Sequence, residues 1–344
     1  MSIKDRNQSW HMPAAYLKVI LQHAATTNHS VDQLLMATDL DLEALLKSDL
    51  TISFEQIQKV LTNASNTLGS GWHLSMGQGL TVSSHGPLGF ATVTAPNLRA
   101  SVDVLLRFIG IRAPFVWLAG AVEDNQFVIR LHEAIEMGEE RAVLIELTML
   151  ALQGLLERPL GRELHGAKIT FTNPAPAYGD QLDDAFHPGL AFNASGHTLS
   201  FPVAWLDEPC ALFDAAMHRY LVTRCEEELR VASGVLPAEI AVRQALLEQP
   251  GAFPGLSEIA AKHHISPRTL IRRLKHGNTS YLAILEAVRK TLAVDYLLHS
   301  DMTVANIAYQ LGYQDPSNFG RAFRGWFGAS PGRYRTAAHD VKRD

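Results

Sequence analysis

An α+β N-terminal domain followed by an all-α C-terminal domain with two helix-turn-helix units is the fold class this sequence predicts. Three observations carry it. Short strand-like runs between residues 115 and 201 are interleaved with helical periodicity. After residue 250, a pattern of short helix, turn and polar helix occurs twice, 48 residues apart. The charge also divides. From Gly251 onward, 13 Lys and Arg stand against 7 Asp and Glu, a net of +6, whereas residues 1–250 carry 17 against 28, a net of −11. The overall formal charge of −5 hides this contrast, which fits one module that meets phosphate and another that does not.

Length and composition set the frame. At 344 residues, two or three domains are expected. The two cysteines, Cys210 and Cys225, exclude a disulfide-rich scaffold and a cysteine-based zinc site. Lys4, Asp5, Arg6, Asn7 and Gln8 precede no long apolar run, so no signal peptide is expected. The most apolar stretches, 104–120 and 142–156, are interrupted by Arg107, Arg112 and Glu146, so a cytoplasmic chain with no membrane partner is expected. Neither the adjacent His263-His264 nor His132-Glu133 has the spacing of a zinc motif. The glycines at 69–71 and 77–79 lack the lysine and length of a phosphate loop, and Asp183-Asp184 do not set up acid and base roles by adjacency alone. No catalytic group, metal or cofactor is expected.

Residues 13–62 are helical in pattern, with Leu17, Ile20, Leu21 and Ala24 at three- and four-residue spacing. Ser30 suits a cap, and another helix follows Ser53 through Ile57, Val60 and Leu61. Six glycines between 69 and 89 predict turns, and residues 97–108 are again amphipathic. Strands are predicted over 115–118, 126–131, 168–171, 190–193 and 198–201, the last two as a pair around Ser195-Gly196. A helix over 139–156 is expected to stop before Pro159. Residues 214–229 and 238–247 are helical in pattern, and the Pro- and Gly-rich stretch 249–255 is the clearest break.

The repeated unit ends its first helix in Ile259-Ala260 and again in Ile307-Ala308. Each alanine lies where the two helices of a unit cross and only a small side chain fits. Four residues on, Gly312 suits a turn with positive φ, while His264 holds that place in the first unit. Pro267 and Pro316 suit the first helical position, with Ser266 and Asp315 as N-caps. The expected DNA-binding residues are Ser266, Arg268, Thr269, Arg272, Arg273 and Lys275 in one unit, and Ser317, Asn318, Arg321 and Arg324 in the other. Leu270 with Leu274, and Phe319 with Phe323, would seat each helix on its own core. Arginine can bond guanine bidentately, Asn, Ser and Thr reach base edges or phosphates, and a helix N-terminus favours phosphate. A solvated face would explain one such arginine, but not two copies of the whole pattern. Between the units, residues 281–299 form a helical stripe roughly 30 Å long. That approaches the roughly 34 Å between successive major grooves on one side of B-DNA.

These residues resemble the DNA-binding domain of the AraC/XylS family of bacterial regulators. The resemblance runs through Arg289, Ala293, Leu297, Ile307-Ala308, Gly312-Tyr313, Asp315, Ser317-Asn318-Phe319, Arg321-Ala322-Phe323-Arg324 and Phe327 to Pro331, ending at Tyr334-Arg335. Asn318 stands where the family often has an aromatic residue, and Trp326 where a basic one is common. Upstream, residues 86–89, 174–176, 191–193, 199–202 and 206–209 resemble the arabinose-binding-like domain of ornithine-responsive-type members. What the resemblance implies is a front domain that binds a small organic effector, or another subunit, and so alters DNA binding. Arabinose itself is not implied. The expected divisions are 1–210 for effector sensing or dimerisation, 211–250 for a helical connector and 251–337 for the DNA-binding domain. The expected partners are double-stranded DNA, a small-molecule effector and a second copy when active, with RNA polymerase a further candidate.

Six front-domain residues, Trp72, His73, Arg112, Trp117, Asn193 and Trp205, are candidates for an effector pocket, because such a pocket combines an apolar wall with few polar groups. Each also has an ordinary structural reading. Three function classes stay open: an effector-responsive transcription factor, a regulator whose front domain only dimerises or binds protein, and an enzyme fused to a DNA-binding module.

Overall fold

Alternating apolar residues set one face of a five-stranded sheet in the front half of the chain. In the computed structural model, which describes residues 11–47, 50–235, 238–248, 250–263, 265–276, 279–300 and 302–341, that half begins with β1 (His11–Pro13), α1 (Ala15–Thr26), α2 (Val31–Leu35) and α3 (Leu42–Lys47). There follow β2 (Thr51–Ser53), α4 (Phe54–Leu68), α5 (Trp72–Gln78), α6 (Gly86–Val93) and α7 (Leu98–Phe108). The sheet strands are β3 (Val116–Glu123), β4 (Gln126–Glu133), β5 (Lys168–Thr170), β6 (Gly189–Ala191) and β7 (His197–Pro202), with α8 (Arg141–Leu160) and α9 (Gly179–Ala185) between them. Helix α10 (Ala215–Val235) completes this unit.

The sheet order is β3-β4-β7-β5-β6, antiparallel except for the β5–β6 pair. Ile129, Leu199 and Ile169 lie in register across three neighbouring strands and are fully buried. Asp124 and Asn125, both at positive φ, turn β3 into β4, as a two-residue hairpin requires. Helix α8 is buried on most of its circumference, through Leu144, Ile145, Met149, Leu152, Leu155 and Leu156, as befits a helix inside a domain.

Several expectations are corrected. The glycines of 69–89 do not simply mark turns, because α5, α6 and a 3-10 turn (Val82–His85) occupy that stretch. A Cβ on Gly77 would lie 2.5 Å from Leu150 Cδ1, so this glycine lets α5 press against α8. Helix α8 runs through Pro159 rather than stopping before it. The proline falls in the last turn, and Gly161 at φ 67° ends the helix. The segments 190–193 and 198–201 are not a strand pair, since β5 lies between β6 and β7.

The described residues divide into two units, Met1–Val235 and Leu236–Asp344. The expected connector is shared between them: α10 packs on α6 and α7, and α11 (Ala238–Glu248) packs on the helices that follow it. These are α12 (Leu256–Lys262), α13 (Pro267–His276), α14 (Tyr281–His299), α15 (Val304–Gln310), α16 (Pro316–Phe327) and α17 (Pro331–Val341). Val242, Leu246, Ile284, Val288 and Leu292 bury the faces of α11 and α14, each large aliphatic side chain contributing about 1.5–3 kcal/mol.

Candidate nucleic-acid interface and apolar cavity

Each recognition helix starts where its caps dictate. Ser266 Oγ accepts from the Thr269 amide at 3.1 Å at the start of α13. At α16, Asp315 Oδ1 accepts from the Ser317 amide at 2.8 Å, and that bond draws the carboxyl below its usual range. Leu270 and Leu274 are buried one turn apart on α13, as are Phe319 and Phe323 on α16. The opposite faces point to solvent. Arg268, Arg272 and Lys275 share one exposed face at i, i+4 and i+7, with Thr269 and exposed Arg273 on its flank. Ser317, Arg321 and Arg324 repeat that face in the same register, with exposed Asn318 beside them. Pro267 follows Ala260 by seven positions and Pro316 follows Ala308 by eight, so the second turn is one residue longer. In it Gly312 adopts φ 71°, while His264 lies outside the described residues.

Two further residues fix the second unit. Arg289 of α14 donates from Nε to Leu311 O at 2.9 Å and lies 4.6 Å from the Tyr313 ring centre, clamping the turn after α15. Trp326 donates from Nε1 to Glu286 at 2.8 Å, fastening α16 to α14. Trp326 therefore braces the helix where the family commonly has a basic residue.

The six front-domain candidates do not form one cluster, a correction to the sequence expectation. His73 Nε2 stands 2.7 Å from Glu146 in the core, and Trp72 donates to Ser65. Trp117 stacks on His132 across the β3–β4 pair. Asn193 is exposed at φ 56°, and Trp205 stacks on Phe201 beneath Arg162. Only Arg112 borders the main apolar cavity, about 640 Å³ including its open mouth, between α1, α4, α5 and α8.

That cavity's wall includes Ile57, Leu61, Leu80, Leu144 and Leu155, and Tyr16 and His85 join Arg112 in its polar lining. Tyr16 Oη lies 2.8 Å from His85 Nδ1, and Arg112 Nη2 donates to Glu228 at 2.7 Å. Burial, aided by the charges of Arg158 and Arg112, pushes the His85 imidazole down to about 4. His85 Nε2 and Arg112 Nε are buried without a partner, a state that costs about 1–3 kcal/mol per group. Sequence reasoning missed Tyr16 and His85 because they come from segments 69 residues apart and share no spacing signal.

The paired capped helices, each with a basic exposed face over a hydrophobic seat, define a double helix-turn-helix protein that binds DNA. Residues 29–210 match the family described as the arabinose-binding domain of AraC transcription regulators, and residues 259–337 match a helix-turn-helix domain. The chain is 31% identical over 330 residues to the ornithine utilization regulator of Pseudomonas aeruginosa, covering 95% of this chain and 96% of that protein. It is 25% identical over 297 residues to an uncharacterised HTH-type transcriptional regulator of Mycobacterium tuberculosis, 81% of each chain. The crystal structure of the regulator CdpR from Pseudomonas aeruginosa is similar at a TM-score of 0.48 and 18% identity, covering 94% of this chain and 98% of that one. The chain belongs to the AraC family of transcription regulators.

Proposed function

We propose that this DNA-binding regulator reads two successive major grooves, α13 in one and α16 in the other. Arg268, Arg272, Arg321 and Asn318 contact base edges, and Ser266, Thr269, Arg273, Lys275, Ser317 and Arg324 engage phosphate or flanking bases. The observation that carries this reading is the matched register of the two exposed faces, Arg272 corresponding to Arg321 and Lys275 to Arg324. Selection from a random duplex pool followed by footprinting tests it. Protection is expected over roughly 17 base pairs per chain, and protection confined to one groove turn at saturation contradicts it.

A small organic effector acting through the front unit fits the described cavity, and with it a cytoplasmic, non-catalytic protein whose targets are set by the effector's supply. The ornithine regulator's name supplies one candidate, an amino acid. A second reading, a front unit that serves self-association, is favoured by Leu212, Phe213, Met217 and Tyr220, which stand 47–62% exposed at the start of α10. Under that reading Met217→Glu with Tyr220→Glu converts a dimer to a monomer in sedimentation. The two readings are compatible, and a dimer bound upstream of a promoter could touch RNA polymerase.

A further inference from the structure

The basic face of α13 carries one side chain that phosphate chemistry does not explain. Ile271 is 41% exposed, the one large apolar residue so exposed on either recognition helix among the described residues. It stands three residues after Arg268 and four before Lys275, in one row with both, their Cβ atoms about 5–6 Å apart. An isoleucine there forgoes the burial that rewards an apolar side chain, and it is a poorer helix former than lysine, arginine or glutamine. The fold does not call for it. Leu270 and Leu274, 1% and 2% exposed, already seat α13 on its core. The second unit supplies the comparison: Arg272 answers to Arg321 and Lys275 to Arg324, so Ile271 answers to Gly320. A Cβ added at Gly320 would meet nothing within 4 Å outside its own helix. The twin unit therefore seats its recognition helix with no side chain at this place.

With a basic neighbour on either side in its row, Ile271 meets the surface that they meet. In the two-groove reading proposed above, on which this inference rests, that surface is the edge of a major groove. The bases present hydrogen-bonding groups there, and the one apolar feature is the C5-methyl of thymine. A β-branched side chain in a helix keeps a single strongly preferred χ1 rotamer, so Ile271 presents its methyls at small entropic cost. We propose that Ile271 selects thymine in the α13 half-site, packing on the C5-methyl of a base next to those that Arg268 and Arg272 contact. The matching base pair under α16 escapes this selection, because Gly320 offers no side chain. The two half-sites then differ although their arginines share a register, and the difference fixes which way round the chain sits on the duplex.

The test uses the full chain, the duplex selected from the random pool, and duplexes in which one thymidine at a time is replaced by deoxyuridine. That exchange keeps the hydrogen-bonding groups of the base pair and removes only the methyl. Affinities are read by fluorescence anisotropy at one salt concentration, and the α13 half-site is the one where Arg272→Ala relaxes base selectivity. One deoxyuridine in that half-site is expected to weaken binding roughly three- to tenfold, the scale of a methyl packed on an apolar side chain. Ile271→Ala should bind the unaltered duplex more weakly by a similar factor and no longer distinguish thymidine from deoxyuridine there. Ile271→Val, which keeps a branched apolar side chain, should retain the distinction. Deoxyuridines in the α16 half-site should cost the unaltered protein and Ile271→Ala the same. Melting temperature is the folding check, and if Ile271→Ala fails it, Ile271→Val and the unaltered protein still decide. An α13 half-site selected without thymine, an unaltered protein indifferent to every deoxyuridine in it, or a natively melting Ile271→Ala protein that loses as much to deoxyuridine as the unaltered one overturns the proposal. If Arg272→Ala still weakens binding, such a result removes Ile271 alone. An Arg272→Ala protein that binds the operator as tightly as the unaltered one removes α13 from the groove, and this inference with it.

Discussion

Arg321 donates from Nη2 to the Asn318 side-chain oxygen at 2.6 Å, one turn apart on the exposed face of α16. The bond holds a guanidinium that would otherwise sample many rotamers, so its fork is oriented before DNA arrives. Asn318→Ala should lower the ratio of operator to scrambled-duplex affinity by roughly tenfold, read by fluorescence anisotropy at fixed salt. Arg321→Lys should lose at least as much, since an ammonium cannot reproduce the fork. An unchanged ratio in both variants would remove this pair from recognition.

Gly312 sits at φ 71°, and a Cβ there would lie 3.1 Å from Gly251 O. Gly312→Ala should therefore destabilise the C-terminal unit by about 1–2 kcal/mol, seen as a lower urea midpoint. Gly332, with open space around it on α17, is the control. Gly332→Ala should leave the midpoint unchanged or raise it slightly, because alanine is the better helix former.

Two buried imidazoles make the front unit acid-sensitive. Burial is the main cause that pushes both His85 and His197 down to about 4, with Arg158 and Arg112 adding to it at the first and Arg141 at the second. Between pH 6.5 and 4 the unfolded chain binds protons that the folded one refuses, so stability falls as pH falls through that window. The loss should reach about 3 kcal/mol per histidine at the lower end. His85→Gln should flatten the decline in melting temperature over this range; an equally steep decline would show that His85 does not stay neutral in the fold.

The C-terminal unit was legible because its signals are local. Pro267 and Pro316, the caps Ser266 and Asp315, and Leu270, Leu274, Phe319 and Phe323 at helical spacing each act within a turn or two. The helix that became α14 was likewise readable from its stripe, and in the fold Ser280 caps it. In the front unit the hairpin strands β3 and β4 could be read from their short runs after Pro114, though β3 runs on to Glu123. What could not be read depends on contacts between distant segments. The place of β5 between β6 and β7, and the nearness of Leu150 that makes Gly77 a packing residue, follow from tertiary structure alone. The cavity is the extreme case: Tyr16, His85 and Arg112 lie on three segments, and Trp72 and Trp117, expected to line a pocket, are spent in the core.

The central claim, that both basic faces read sequence, is tested most directly by titrating the full chain against its selected operator and single-base variants of it. Arg268→Ala, Arg272→Ala and Arg321→Ala are compared with the unaltered protein at one salt concentration. The account predicts a loss of about 1–3 kcal/mol for each. Selectivity should relax in one half-site for the α13 substitutions and in another, roughly one helical turn away, for Arg321→Ala. Natively folded variants that bind the operator as tightly and as selectively as the unaltered protein would contradict it.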